Sequence, residues 1–151
     1  MPIAPTRRAI LATGAGLVSF ALARPARATP DEMAAAVRDF TGGADVRPGR
    51  VRMEVAPLVE NGNAVPLTLR VASAMTAADH VRRLAVFNEK NPQPGCAVFY
   101  LGPRAGRAVV STRLRLATSQ TLTAIAEMSD GSYWSDSAEV VVTIAACTED
   151  L

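Results

Sequence analysis

The chain has 151 residues, among them 16 lysines and arginines, 14 aspartates and glutamates, two cysteines and one histidine. That is enough for one domain with its own core and too short for a multidomain enzyme. With 49% apolar and 20% charged residues, the body is neither a disordered tail nor a collagen-like or disulfide-dense scaffold.

Residues 1–28 hold four basic side chains, Arg7, Arg8, Arg24 and Arg27, and no acidic ones. A largely apolar run from Ala9 to Ala23 follows the arginine pair, and Ala26-Arg27-Ala28 supplies a small-x-small cleavage signature. This pattern predicts an export signal over 1–28, and the paired arginines favour the twin-arginine route. The apolar run is shorter than the ~20 residues of a membrane span and contains two glycines, so no membrane association is expected after cleavage. The remainder, Thr29–Leu151, has 12 basic against 14 acidic residues. The basic bias of the whole chain therefore sits in the signal, and no cluster of basic and aromatic residues remains to bind nucleic acid. An exported chain can oxidise its two cysteines to each other or keep one as a working thiol.

Thr29-Pro30-Asp31-Glu32 places a capping hydroxyl, a proline at the first helical position and a carboxylate three residues after the cap. A short helix is predicted from there, with Met33, Val37 and Phe40 on one apolar stripe and Gly42-Gly43 as its stop. From Val51 the period changes to two. Strands are predicted near 51–58, 65–72, 80–88, 96–101, 109–116, 121–128, 132–135 and 138–145. The breaks between them are Asn61-Gly62-Asn63, Pro92-Gln93-Pro94-Gly95, Gly102-Pro103 and Asp130-Gly131. Seven or eight short strands at this spacing imply an all-β sandwich. Asp130-Gly131 is the clearest hairpin signal.

Catalytic constellations are lacking. His80 is the single histidine, and only Asp79 stands near it at a ligand spacing, so zinc or haem binding is poorly supported. His80 is expected at a strand edge, partly buried. No nucleophile elbow accompanies it, and no glycine loop of the phosphate-cradling kind occurs. Glu54, Glu60, Glu89, Glu127 and Asp130 fall in separate segments, as solvated faces of a sandwich would. The chain is not expected to be an enzyme in its own right, nor to hold a metal or cofactor.

Three blocks carry more than composition: Glu60-Asn61-Gly62-Asn63-Ala64-Val65-Pro66, Met75-Thr76-Ala77-Ala78-Asp79-His80-Val81 and Phe87-Asn88-Glu89-Lys90-Asn91-Pro92-Gln93-Pro94. With Ser111–Ala117 and Ala126–Ser132 after them, the chain resembles the SoxY family of periplasmic sulfur carriers over nearly all of residues 29–151. The resemblance implies an immunoglobulin-like β-sandwich with a short N-terminal helix, ending in a cysteine arm at 145–151. It also implies a periplasmic protein paired with a SoxZ-like subunit, carrying thiosulfate-derived sulfur covalently on Cys147. The implied enzymes are a haem-containing loading enzyme, a sulfate-releasing hydrolase and a molybdenum-dependent sulfur dehydrogenase, whose cofactors belong to them and not to this chain.

The tail departs from the family's Gly-Gly-Cys-Gly-Gly ending, reading Ala145-Ala146-Cys147-Thr148-Glu149-Asp150-Leu151. Side chains with a Cβ make a stiffer, bulkier arm than glycine. Glu149 and Asp150 disfavour the thiolate and repel an anionic substrate, less so when exposed and in salt. Three readings of function follow, in this order: a working carrier, a SoxY-like binding subunit that has lost carriage, and an enzyme with Cys96 or Cys147 as nucleophile, for which the sequence offers no evident base. Cys96 is a further departure, open to three readings: a buried inert thiol at a strand start, a disulfide partner of Cys147, or a functional or intermolecular thiol.

Overall fold

The computed structural model describes residues 28–144. The expected export signal, apart from its last residue Ala28, and the expected cysteine arm at 145–151, Cys147 included, lie outside the described residues.

The predicted helix is present as α1, Pro30–Thr41. The Thr29 hydroxyl accepts from the Glu32 amide at 3.2 Å, and the Glu32 carboxylate accepts from the Thr29 amide at 2.8 Å, so both orphan donors are satisfied by one reciprocal box. Gly42 ends the helix in the left-handed region at φ 63, its amide donating to Arg38 O, a conformation that costs glycine no Cβ clash.

Nine strands follow: β1 Val46–Pro48, β2 Val51–Val55, β3 Leu58–Asn61, β4 Val65–Val71, β5 Val81–Asn88, β6 Gly95–Tyr100, β7 Val109–Leu114, β8 Gln120–Met128 and β9 Tyr133–Ile144. The larger sheet runs β1-β9-β8-β5-β6, with β3 also paired to β9; the smaller runs β2-β4-β7. This is the all-β, immunoglobulin-like sandwich expected.

Between the sheets lie Val65, Leu67 and Leu69 from one side and Leu84, Val86, Leu122, Ala124, Met128 and Val140 from the other. The reverse face of the larger sheet presents Ala85, Phe87, Ile125 and Tyr133, on which Met33, Ala36, Val37 and Phe40 of α1 pack. β5 and β8 are therefore buried on both faces, which is why they read as continuous apolar runs rather than strict alternation. Full burial of residues such as Leu84, Leu122 and Ile125 stabilises by about 1.5–3 kcal/mol each relative to exposure. Phe40 meets Phe87 and Tyr133 edge-on, with ring centroids 5.7 and 6.2 Å apart. Arg83 lies over Phe40, donates to its carbonyl and pairs with the buried Glu127, which Arg82 also reaches at 3.3 Å. One desolvated carboxylate thus has two cations, and the helix end is tied to the sheet.

Three strand boundaries differ from expectation. The run at 51–58 splits into β2 and the start of β3, which belong to different sheets. Pro57 cannot donate to a ladder, and its carbonyl instead accepts from Val141 as the chain crosses. β1 was not anticipated; it is three residues between turns, and Gly49 and Arg50 at φ 106 and 53 swing the chain from β1 into β2. The runs at 132–135 and 138–145 form one strand, because the polar stretch between them is used. Asp136 accepts from Met53 N at 2.7 Å, and Ser137 pairs with Thr123 at 3.0 Å across the ladder. In the β8–β9 hairpin only Gly131 takes positive φ, 81. The Asp130 carboxylate holds the turn through the Ser132 amide and hydroxyl, and these two bonds lower its pKa.

Candidate functional site

The candidate carrier residue, Cys147, follows β9 by three positions. Residue by residue, the last strand is fixed from both sides. Val142 donates to Ser119 Oγ at 2.9 Å, and Ile144 pairs in parallel with Asn61. Asn61 in turn caps Asn63 N through its own side chain, and the carbonyl of buried Gly62 accepts from Leu116 at 2.8 Å. Ile144 is 65% exposed, so the chain reaches the surface where β9 ends. Three extended residues reach roughly 10 Å beyond that anchor.

The same end of the sandwich holds a polar network made by the third sequence block. Asn88, fully buried, donates through Nδ2 to Gln93 O, Pro94 O and Cys96 Sγ, and accepts from Asn91 N. Asn91 donates to Arg115 O and accepts from Ala117 N and Gln120 Nε2. Gln120 closes the circuit by accepting from Lys90 N. These residues lock the 88–95 loop onto the 115–120 loop, whose Ser119 Oγ accepts from Val142 N near the end of β9.

Cys96, second in β6, is half-buried with a free thiol and packs against the inter-sheet core. Burial pushes its thiol pKa up, with the Asn88 donor opposing in part. A thiol held protonated is a poor nucleophile, and the geometry matches the inert, strand-start reading. Beside it opens a cleft of about 390 Å³ between the edges of β6 and β7, lined by Asn88, Asn91, Cys96, Arg113 and Arg115.

His80 is not brought to this end. Its Nδ1 lies 3.0 Å from Thr76 O, its amide donates to Ser129 Oγ, and its carbonyl accepts from Ser129 N. It is a loop-fixing residue beside β5. Neighbouring Asp79 accepts from Ala74 N and pairs with Arg50 at 2.9 Å; the amide first and the guanidinium second lower its pKa. Glu54, at the far side, pairs with exposed Arg70. Among the described residues no group of three or more histidines, cysteines or carboxylates could hold a metal ion.

Two features went unnoticed in the sequence. Arg113 and Arg115 flank buried Leu114 on one exposed face and line the cleft; the spacing of two was visible, the cleft was not. Tyr100, 77% exposed at the end of edge strand β6, carried no local signal.

The described residues define a two-sheet, immunoglobulin-like β-sandwich whose last strand ends three residues before Cys147. Residues 37–147 match the family described as sulfur oxidation protein SoxY, and the chain belongs to that family. No curated protein matches it. Among solved structures, the sulfur carrier protein SoxY from Chlorobium limicola f thiosulfatophilum is similar at 23% identity and a TM-score of 0.64, over 77% of this chain and 100% of that one. Superoxide reductase (neelaredoxin) from Ignicoccus hospitalis is similar at 18% identity and a TM-score of 0.56, over 76% and 94% of the two chains. Superoxide reductase from Nanoarchaeum equitans matches at 13% identity and 0.54, over 64% and 100%. At such identities these likenesses establish the fold alone.

Proposed function

We propose that the protein is a periplasmic sulfur carrier without catalytic activity of its own, holding thiosulfate-derived sulfur covalently on Cys147. The observation that carries this reading is the coincidence of two limits: the family match runs as far as Cys147, and the last strand ends three residues before it. An arm of that length lets the sulfur enter a partner's active site while the sandwich stays outside.

In the loading step the Cys147 thiol loses its proton and forms a sulfur–sulfur bond with the outer sulfur of thiosulfate. The two electrons released pass to the haem-containing loading enzyme. Water then displaces the sulfonate as sulfate at the hydrolase, leaving a persulfide on Cys147 for the sulfur dehydrogenase. Every redox centre in this sequence belongs to the partners; this chain supplies one thiol and its reach.

A SoxZ-like sandwich is the proposed stable partner. β6 is the outer strand of the larger sheet, and Val98 and Tyr100 on it are 45% and 77% exposed. A free strand edge with outward apolar side chains suits edge pairing with another sandwich. The export signal over 1–28 is proposed to deliver the chain to the periplasm.

Intact-mass measurement of the mature protein after incubation with thiosulfate and the cognate loading enzyme tests carriage. An adduct absent from Cys147→Ser is expected. If the wild-type chain stays unmodified while binding SoxZ, the second reading holds, that of a SoxY-like subunit that has lost carriage. The specific observation favouring that reading is the acidic, glycine-free tail.

A further inference from the structure

We infer that the folded chain shields its own processing site: the Ala28–Thr29 bond is built into the sandwich, and removal of the export signal is gated by opening of the N-terminal half of α1. The inference rests on the export reading of residues 1–28 and adds a control to it.

The shield follows from the backbone groups around that bond. Ala28 is 5% exposed, and its amide donates to Asn91 O at 2.7 Å. The amide of the bond itself, Thr29 N, donates to the Glu32 carboxylate at 2.8 Å, and the Thr29 carbonyl accepts from Met33 N at 2.9 Å. Thr29 Oγ accepts from Glu32 N, so the bond runs into a capped helical turn. A peptidase takes its substrate as an extended strand and pairs with backbone groups on both sides of the cut. Nicking of folded proteins accordingly concentrates at exposed loop tips, where those groups are free. Here Ala28 N, Thr29 N and Thr29 O are all engaged.

Both anchors are themselves held. Asn91 belongs to the circuit with Asn88, Arg115, Ala117 and Gln120, which makes its carbonyl a fixed acceptor. Met33 and Val37 pack α1 onto the cluster of Ala85, Phe87, Ile125 and Tyr133. Freeing the bond breaks the capping box, the contact with Asn91 and part of this packing, yet leaves the core between the sheets intact, so the opening is local. At the peptidase, water then adds across the Ala28–Thr29 bond, leaving a carboxylate on Ala28 and an α-amino group on Thr29. That ammonium faces the Glu32 carboxylate which the amide met before, and the charge-assisted pair closes the turn again without Ala28.

The test uses the folded full-length precursor and a membrane signal peptidase in detergent micelles, with cleavage after Ala28 read by intact mass. Precursor diluted from urea as the peptidase is added should be cut ~10- to 100-fold faster than folded precursor, because cleavage follows the population of the open form. Glu32→Ala, which unmakes the box, and Val37→Ser, well beyond the cut, should each speed cutting of folded precursor ~3- to 10-fold. Both should deprotect the Ala28 and Thr29 amides in hydrogen exchange by a similar factor. Val71→Ala, at a buried position of the smaller sheet, lowers global stability without touching α1 and should change neither reading. Equal rates for folded and unfolded precursor, unprotected amides, or Val71→Ala as fast as Val37→Ser would each overturn the gate while leaving the cleavage site in place. Unfolded precursor cut at another bond, or not at all, would overturn the export reading and the gate with it.

Discussion

The side-chain amide of Asn88 donates to the sulfur of Cys96 at 3.0 Å. The donor is fully buried at the end of β5 and the acceptor half-buried at the start of β6. The contact belongs to the circuit that fixes the 88–95 loop; it gives Cys96 a structural neighbour, and burial raises the thiol's pKa against that donor. Native Cys96 is therefore expected to react with alkylating reagents at least ~10-fold more slowly at pH 7 than in the unfolded chain. Cys96→Ser keeps an acceptor for Asn88 and should leave loading on Cys147 unchanged. Asn88→Ala strands several buried backbone groups and should cost about 2–4 kcal/mol in urea unfolding.

The acid limb of stability should be set partly at Asp79. Its folded pKa lies below the ordinary carboxylate value because Ala74 N and Arg50 favour the ionised form. Stability from this group is therefore complete above the unfolded value near ~3.9 and is lost as pH falls through the lower folded value. Asp130, lowered by Ser132, acts in the same direction. Thermal melts between pH 6 and 2 should show a shallower fall for Asp79→Asn than for the wild type; parallel curves would contradict the assignment.

How much of this was legible beforehand depends on the range of the interaction concerned. The capping box at Thr29 and Glu32 and the stop at Gly42 involve neighbours in sequence, and both stand where the residue pattern puts them. The sandwich and most strands were also readable, since alternation reports which face is buried. The split of 51–58 was not, because β2 and β3 choose different sheets and that choice lies in partners 12 to 83 residues away. β9 reads in the sequence as two runs with 136–137 between them, but Asp136 bonds across the sheets to Met53 N and Ser137 to Thr123 on the neighbouring strand. The third block was recognised as a family likeness, but its physical task, the Asn88–Asn91–Gln120 circuit, needs the 115–120 loop beside it.

Tyr100 should be a hot spot of the proposed heterodimer. An exposed aromatic on a free strand edge buries a large area when covered. Tyr100→Glu is expected to weaken binding of a SoxZ-like partner by at least ~30-fold in calorimetry, and Val98→Asp to act likewise, with the melting temperature of the free chain nearly unchanged. Wild-type affinity in both variants would move the interface away from β6.

Export should leave a chain beginning at Thr29. Cleavage after Ala28 removes the bond from Ala28 N to Asn91 O, 2.7 Å, and turns the Thr29 amide into an α-amino group beside the Glu32 carboxylate it already meets. N-terminal sequencing of periplasmic protein reads this directly. Replacing Arg7 and Arg8 by lysine should retain the uncleaved chain in the cytoplasm; periplasmic product at wild-type yield would exclude the twin-arginine route.

The composition of the arm should govern the rate at which sulfur is loaded. Glu149 and Asp150 lie two and three residues after Cys147, close enough to disfavour the thiolate and to repel thiosulfate. Both effects are screened as the Debye length falls from ~10 Å at 0.1 M to ~3 Å at 1 M salt. Loading of the native chain should therefore quicken with salt, measured as adduct against time by mass spectrometry. A chain whose residues 145–151 are replaced by Gly-Gly-Cys-Gly-Gly should load faster at low salt, by ~3- to 10-fold, and show little salt dependence, because it combines a thinner backbone with the loss of both carboxylates. Glu149→Gln with Asp150→Asn separates the two causes. If it matches the glycine arm, charge is the brake; if it matches the native arm, the brake is bulk and stiffness. A native arm that never loads beside a glycine arm that does would assign this chain to the binding-subunit reading, with Cys147 a thiol that its own neighbours have taken out of use.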